Sequence, residues 1–372
     1  RPMTHRYLQA GVAALITCVA APAFAQGDLT SRIDAIVNVP IASGAIAGAS
    51  VAVVKGGTTL LSKAYGKADL ELDVPTPPGA TYEIGSVTKQ FTAALILLLQ
   101  EDGRLSLDDE ITTFLPDYPT QGHRVTLRRL LNHTSGIRGY TEMREFGDFS
   151  KMKRPRADLV ALFAAQPFDF APGEEQIYNN SAFFLLGLVI EKVTGQPYEQ
   201  VVQQRLFDRA GMPNSYYCSE SAVRKNHAHG YDTDGGHLVL KGYIDHLWPF
   251  SAGSLCSNTA DLVAWNRALH GGRILKPASY AQMIAPGALA DGTPLVLARR
   301  WSIRRPRPVA ERLPADQQLV TGQRVFDLLF PQMTIFQLKT VDMDNFFTNI
   351  TFVECEFTSL PVQLRQRQPE GG

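Results

Sequence analysis

The stretch YEIGSVTKQF, residues 82–91, sets Ser86 three residues ahead of Lys89 at the mouth of an apolar run. Two readings compete there: a serine nucleophile with a lysine proton acceptor, or a helix cap followed by a surface lysine. A helix turns about 100° and rises about 1.5 Å per residue, so positions i and i+3 share a face and the two side chains would touch. A serine hydroxyl is a poor nucleophile until a base takes its proton. A lysine serves as that base only where burial disfavours its ammonium form. Phe91, Ala93, Leu95 and Ile96 offer such apolar surroundings. The start of a helix adds backbone N–H groups and a positive dipole end that suit a developing oxyanion.

Spacing alone does not decide the matter, because FSKMKRPR repeats it with Ser150 and Lys153. That second pair lies among Lys151, Arg154 and Arg156, in a basic loop where a lysine keeps its charge. Further along, APGEEQIYNNSAFFLLG places Tyr178 and Asn180 just before a second apolar helix. Tyr178 read alone is a packing aromatic. Beside a Ser–Lys pair, however, a phenol can pass the proton to a leaving group, and an amide can hold both a lysine and a substrate carbonyl.

The surrounding chain is organised as follows. GASVAVVKGGTTLLSKAYGKADL (48–70) reads as a hairpin whose apolar runs Ser50–Val54 and Thr59–Ala64 flank Gly56-Gly57. A proline-rich linker, 75–79, leads into the opening stretch. From Val87 to Leu99 nearly every face is apolar, the pattern of a buried helix that ends near Gly103. From about 104 to 250 the pattern is mostly helical with long loops. It includes VTLRRLLNHTSGI and a helix in SAFFLLGLVIEKVTG stopped by Gly195. NTADLVAWNRALHGG (258–272) is a third helix, with Asn258 or Thr259 as its N-cap.

Residues 48 to about 297 resemble the penicillin-recognising serine hydrolases: class C β-lactamases, D-Ala-D-Ala carboxypeptidases and the esterases of that fold. The stretches that carry the resemblance are YEIGSVTKQFTAALILLLQEDGRLSLDDEITTFLPDYP, VTLRRLLNHTSGIRGY, APGEEQIYNNSAFFLLGLVIEKVTG and SAGSLCSNTADLVAWNRALHGGRILKP. They fall in the family's order over roughly two-thirds of the chain, a far more specific signal than Ser-x-x-Lys. The resemblance implies an α/β fold of β-lactamase/transpeptidase type, an antiparallel sheet flanked by helices with a mostly helical subdomain. It implies Ser86 as the acylated nucleophile, Lys89 as its base, Tyr178 as proton shuttle and Asn180 as substrate-binding support. His133 in LNHTSG is read as a structural turn. The substrate is expected to be a β-lactam, a D-Ala-terminated peptidoglycan peptide or a small ester. The alternative is a non-catalytic penicillin-recognising protein or an inactive truncated homologue.

One departure matters. The family carries a K-T-G or H-G-G motif on a strand beside the nucleophile. His270-Gly271-Gly272 sits at a helix end, too early for that strand, and downstream only Lys339-Thr340 and Thr321-Gly322 approach the pattern. Lys339-Thr340 lacks the glycine. The composition shifts near 298, where ARRWSIRRPRPVAER packs six arginines and two prolines into 15 residues. Residues 298–372 therefore read as a divergent segment, a reading-frame shift or an unrelated tail. QLVTGQRVFDLLF and NITFVECEF are candidate strands within it. Loss of the family's C-terminal strands would leave the 48–66 hairpin with unpaired edges.

Composition bounds the rest. Lys plus Arg and Asp plus Glu each total 36, so no polyanionic partner such as nucleic acid is expected. Residues 3–25 read as an export signal with an apolar core and an Ala23-Phe24-Ala25 cleavage site. That core is too short for a membrane span, and a periplasmic or secreted protein is expected, its oligomeric state left open. After cleavage Cys218, Cys256 and Cys355 remain, enough for one disulfide and one thiol in any pairing. No cofactor and no metal are implied, and His227 and His229 are read as solvated.

Overall fold

The computed structural model describes residues 26–295 together with the short strands 338–339 and 352–355. The expected export signal and the Thr321-Gly322 pair lie outside these residues, as does most of the segment after 297.

The chain enters through helix α1 (Gln26–Ala42) and then forms the expected hairpin of β1 (Gly48–Lys55) and β2 (Thr58–Asp69). Gly56 and Gly57 both take positive φ at the turn, a conformation that costs glycine nothing. The strands pair antiparallel from Gly48↔Gly66 to Lys55↔Thr58, with a register shift between Val53 and Val54. β1 is buried on both faces, which is why SVAVV shows no alternation. Val51 and Val53 pack with Ile33 of α1 and Tyr65, whereas Ala52 and Val54 meet Val263 on the other side. Asp34 of α1 ties the layers further, accepting from Lys63 Nζ at 2.7 Å and Tyr65 OH at 2.8 Å.

The free edges expected of this hairpin are not what is found. Phe352–Cys355 runs parallel to β1, with Val53 opposite Val353, and Leu338–Lys339 pairs antiparallel beyond it. Val74–Pro75 lies along β2, completing a five-stranded sheet. The strand within NITFVECEF is therefore present and pairs with β1 in parallel, beside the antiparallel pairings expected of the sheet. Lys339 stands on the outermost strand of this sheet.

The main core lies on the far side of β1 and centres on two helices, α2 (Thr88–Glu101) and α3 (Asn180–Thr194). α2 buries Phe91, Leu95, Ile96 and Leu99 completely. Apolar side chains around its circumference require neighbours on every side, and it finds them in α3, the 250–257 segment and α4 (Thr259–His270). Phe91 stacks on Trp265 of α4 at 4.2 Å. Asn258 caps α4 by accepting from Asp261 N, and Gly195 ends α3 in the left-handed conformation. His270-Gly271-Gly272 closes α4 and belongs to no strand, and His270 is bonded to Tyr280. Among the described residues, no helix is long and apolar enough to cross a membrane.

Candidate active site

The opening question is answered locally. Gly85 takes φ +48°, and Gly85–Val87 form a 3₁₀ turn that runs into α2 and sets Ser86 one turn ahead of Lys89. Ser86 is not the helix cap: Val87 occupies that position and no side chain bonds the end of the helix. Instead, Ser86 Oγ lies 2.5 Å from Tyr178 OH and 3.0 Å from Lys89 Nζ. The i, i+3 contact thus forms as the spacing predicts.

Lys89 is 7% exposed, unusual for a lysine, and it has further oxygen partners. Its Nζ donates to Asn180 Oδ1 at 2.7 Å and to the Ala252 carbonyl at 2.8 Å. An ammonium can donate to all three oxygens. A neutral amine can donate to the amide and the carbonyl, leaving its lone pair directed at the Ser86 hydroxyl. The arrangement therefore suits a base that takes the serine proton.

Asn180 and Tyr178 arrive together at the start of α3, where Asn179 caps the helix by accepting from Ala182 N at 2.8 Å. His133 fixes the approach. It sits at φ +59°, accepts from Asn179 N at 3.1 Å and lies 4.8 Å ring to ring from Tyr178. This is the structural role expected of it. Burial raises the Tyr178 phenol well above its usual value, and the Ser86 hydrogen bond only partly offsets that. Tyr178 thus holds its proton at neutral pH and suits the role of donor rather than resident anion.

The 251–255 segment is held against α2 by successive contacts. Thr92 Oγ1 donates to Ser251 O at 2.6 Å, Lys89 reaches Ala252 O, and Leu255 N donates to Thr88 Oγ1 at 3.1 Å. From the α3 side, Ser251 Oγ donates to Phe183 O at 2.8 Å. Gly187 makes this approach possible, since a Cβ there would fall 2.0 Å from Ser251 Oγ. Sequence reasoning did not find Ala252 or Gly187. A carbonyl acceptor carries no residue-type signature, and a glycine inside an apolar helix signals close packing only in general terms.

Glu83, three residues before Ser86, is partly enclosed against Lys241 and His246. Burial alone would raise its carboxyl, but the His246 hydrogen bond and the Lys241 charge outweigh it and hold it down to about 2. Cys256 lies opposite Glu83 in the next strand, and it is Cys218 that bonds to it. This selects one of the three pairings left open by the sequence.

The second Ser-x-x-Lys spacing behaves differently. Lys151 and Lys153 are exposed as expected, whereas Ser150 is buried and donates to Gly147 O at 3.2 Å, closing a short helical turn. His227 and His229 diverge, to Tyr216 OH at 3.1 Å and Asp69 at 3.4 Å. His227 is partly enclosed and burial lowers it, so only His229 matches the solvated reading. Asp69, Glu71 and His229 bring donor atoms within 4.8 Å of one another. Their carboxylates already accept from Leu72 N and Tyr231 OH.

Comparison with known proteins agrees with the geometry. Residues 31–304 match the family model described as Beta-lactamase. Protein flp of Staphylococcus aureus (strain MRSA252) is 31% identical over 242 residues, 64% of this chain and 48% of that protein. The putative penicillin-binding protein PbpX of Bacillus subtilis (strain 168) is 30% identical over 236 residues, 63% of this chain and 58% of that protein. The chain thus spans about half the length of these relatives. A solved D-stereospecific amidohydrolase from Streptomyces sp. superposes with a TM-score of 0.61 at 28% identity, over 70% of this chain and 78% of that one.

Proposed function

The chain belongs to the β-lactamase family, a family of serine hydrolases, and on that premise we propose that it hydrolyses acyl compounds through an acyl-enzyme on Ser86. The observation that carries this reading is the meeting of Lys89 and Tyr178 at the Ser86 hydroxyl, with Asn180 holding Lys89 from behind.

In the first half-reaction neutral Lys89 takes the Ser86 proton as Oγ attacks the substrate carbonyl. Backbone N–H groups at the start of α2 stabilise the oxyanion. The tetrahedral intermediate collapses as the carbonyl carbon loses its bond to the leaving nitrogen or oxygen. Tyr178 hands its proton to that atom and regains one from Lys89. In the second half-reaction water attacks the ester, its proton passes back through the same groups, and the acid leaves with Ser86 restored. Asn180 holds Lys89 through Oδ1 and offers Nδ2 to the substrate carbonyl.

The substrate class follows from this chemistry and the relatives: a β-lactam, a D-amino acid amide or peptide, or a small ester. We place the protein in the periplasm or outside the cell, in keeping with the Cys218–Cys256 bond, since disulfides persist in oxidising compartments.

The test is turnover of nitrocefin, a D-amino acid amide and p-nitrophenyl butyrate, each beside Ser86→Ala. Turnover of any one that disappears in the variant supports the reading. Stable labelling by a fluorescent penicillin with no turnover of any substrate overturns hydrolysis in favour of binding alone.

A further inference from the structure

The nucleophile turn is gripped at both ends by one residue of a distant segment. Ile84 N, two residues before Ser86, donates to Leu255 O at 2.9 Å. Thr88 Oγ1, two residues after it, accepts from Leu255 N at 3.1 Å. A backbone N–H can only donate, so this hydroxyl oxygen is the acceptor whichever way its own hydrogen points. Thr88 and Leu255 are both completely buried, so the amide has no solvent to turn to if the hydroxyl is lost. Between the two bonds the chain passes through Gly85, at φ +48°, and Ser86.

Leu255 is a fixed point for this grip. It lies on the middle strand of a three-stranded sheet, opposite Tyr217 on one side, while the next residue, Cys256, pairs with Glu83 on the other. Cys218 N donates to Ser254 O at 2.9 Å, and the Cys218–Cys256 bond ties the same two segments covalently. Lys89 also holds this region, through Ala252 O, but its Nζ changes charge as it takes and returns the Ser86 proton. Every bond that Nζ makes therefore strengthens and weakens during the cycle. The Thr88 bond joins two neutral groups and keeps its strength throughout.

We infer that Thr88 is a positioning residue that acts through the Ser86 turn. By accepting from Leu255 N it closes the clamp begun at Ile84, and so holds Ser86 Oγ against Lys89 and Tyr178 in both charge states of the lysine. Thr88 then serves the rate of acylation and not the binding of the acyl compound. The inference rests on the proposed role of Ser86.

The experiment compares Thr88→Val, which keeps the shape and removes the acceptor, with Thr88→Ser, which keeps the hydroxyl. Each is labelled with a fluorophosphonate over a concentration series, well below its unfolding midpoint, with Ser86→Ala as control. The readouts are the limiting labelling rate, the concentration that gives half that rate, and the fraction of molecules finally labelled. In Thr88→Val the limiting rate is expected to fall about 10-fold, with the half-rate concentration within about twofold of the parent and labelling complete. Its unfolding midpoint also falls, because a buried N–H has lost its partner. Thr88→Ser is expected within about threefold of the parental limiting rate. A parental limiting rate in Thr88→Val overturns the inference, whether all molecules are labelled or only a folded fraction of them. So does an equal loss in Thr88→Ser, which would point to the methyl group. Should Thr88→Val not fold, Thr88→Ala takes its place, and failure of both to fold would show a structural role and overturn it as well. Persistent labelling of Ser86→Ala would instead overturn the nucleophile reading beneath it.

Discussion

Replacing Gly187 by alanine tests whether the site depends on close packing two layers away from the nucleophile. A Cβ at this position of α3 would stand 2.0 Å from Ser251 Oγ, 2.5 Å from Phe250 Cε1 and 2.6 Å from Ser251 Cβ. Ordinary van der Waals contact begins at 3.4 Å, so the 250–253 turn must retreat by more than an ångström. Ser251 would then lose its bond to Phe183 O, and Ala252 O would leave its 2.8 Å contact with Lys89. Overpacking costs about 1–3 kcal/mol, and each broken hydrogen bond adds about 1 kcal/mol. A displacement of about 1 Å among catalytic groups lowers rates on the order of 100-fold. Thermal unfolding and ester turnover are the assays. The expected outcome is a Tm several degrees lower and kcat/KM reduced more than tenfold, because Lys89 has lost an acceptor. Parental stability together with parental kcat/KM would refute the packing argument.

The partly enclosed charge at Glu83 makes a pH prediction. Its folded value, about 2, lies below the ordinary 4.5. It therefore contributes stability in full above pH 4.5, and that contribution is lost as pH falls toward 2. Removing the carboxylate with Glu83→Leu should flatten the loss of stability between pH 5 and 2, measured by urea unfolding, by up to about 3 kcal/mol. An unchanged pH dependence would contradict the assignment. The Cys218–Cys256 bond closes 38 residues of chain. Loop-closure entropy gives it about 4 kcal/mol, so Cys218→Ala should unfold at much lower urea, while added reductant leaves the variant unmoved. Equal urea midpoints for parent and variant would count against the tether.

The legible part of the site was the part written in local chemistry. Ser86 and Lys89 meet because a three-residue spacing on a helix has one geometric outcome, and Tyr178 and Asn180 arrive together because both flank the start of one helix. The ends of α3 and α4 were marked by Gly195 and Asn258, residues whose backbone or side chain does the terminating. What stayed hidden depends on contacts between distant segments. Ala252 enters through its carbonyl, which every residue possesses. Thr88 enters through a bond to Leu255 N, a partner 167 residues away. Three cysteines left the disulfide open until the strands at 216–217 and 255–257 came together. The strand 352–355 was readable from its β-branched and aromatic composition, but its parallel partner was not.

The central claim is that Ser86 becomes acylated, and the most direct measurement is peptide mapping by mass spectrometry after reaction with a fluorophosphonate or a penicillin. The expected result is a single adduct on the peptide that carries Ser86, with no adduct on the corresponding peptide of Ser86→Ala. An adduct on another residue, or undiminished labelling of Ser86→Ala, would contradict the claim.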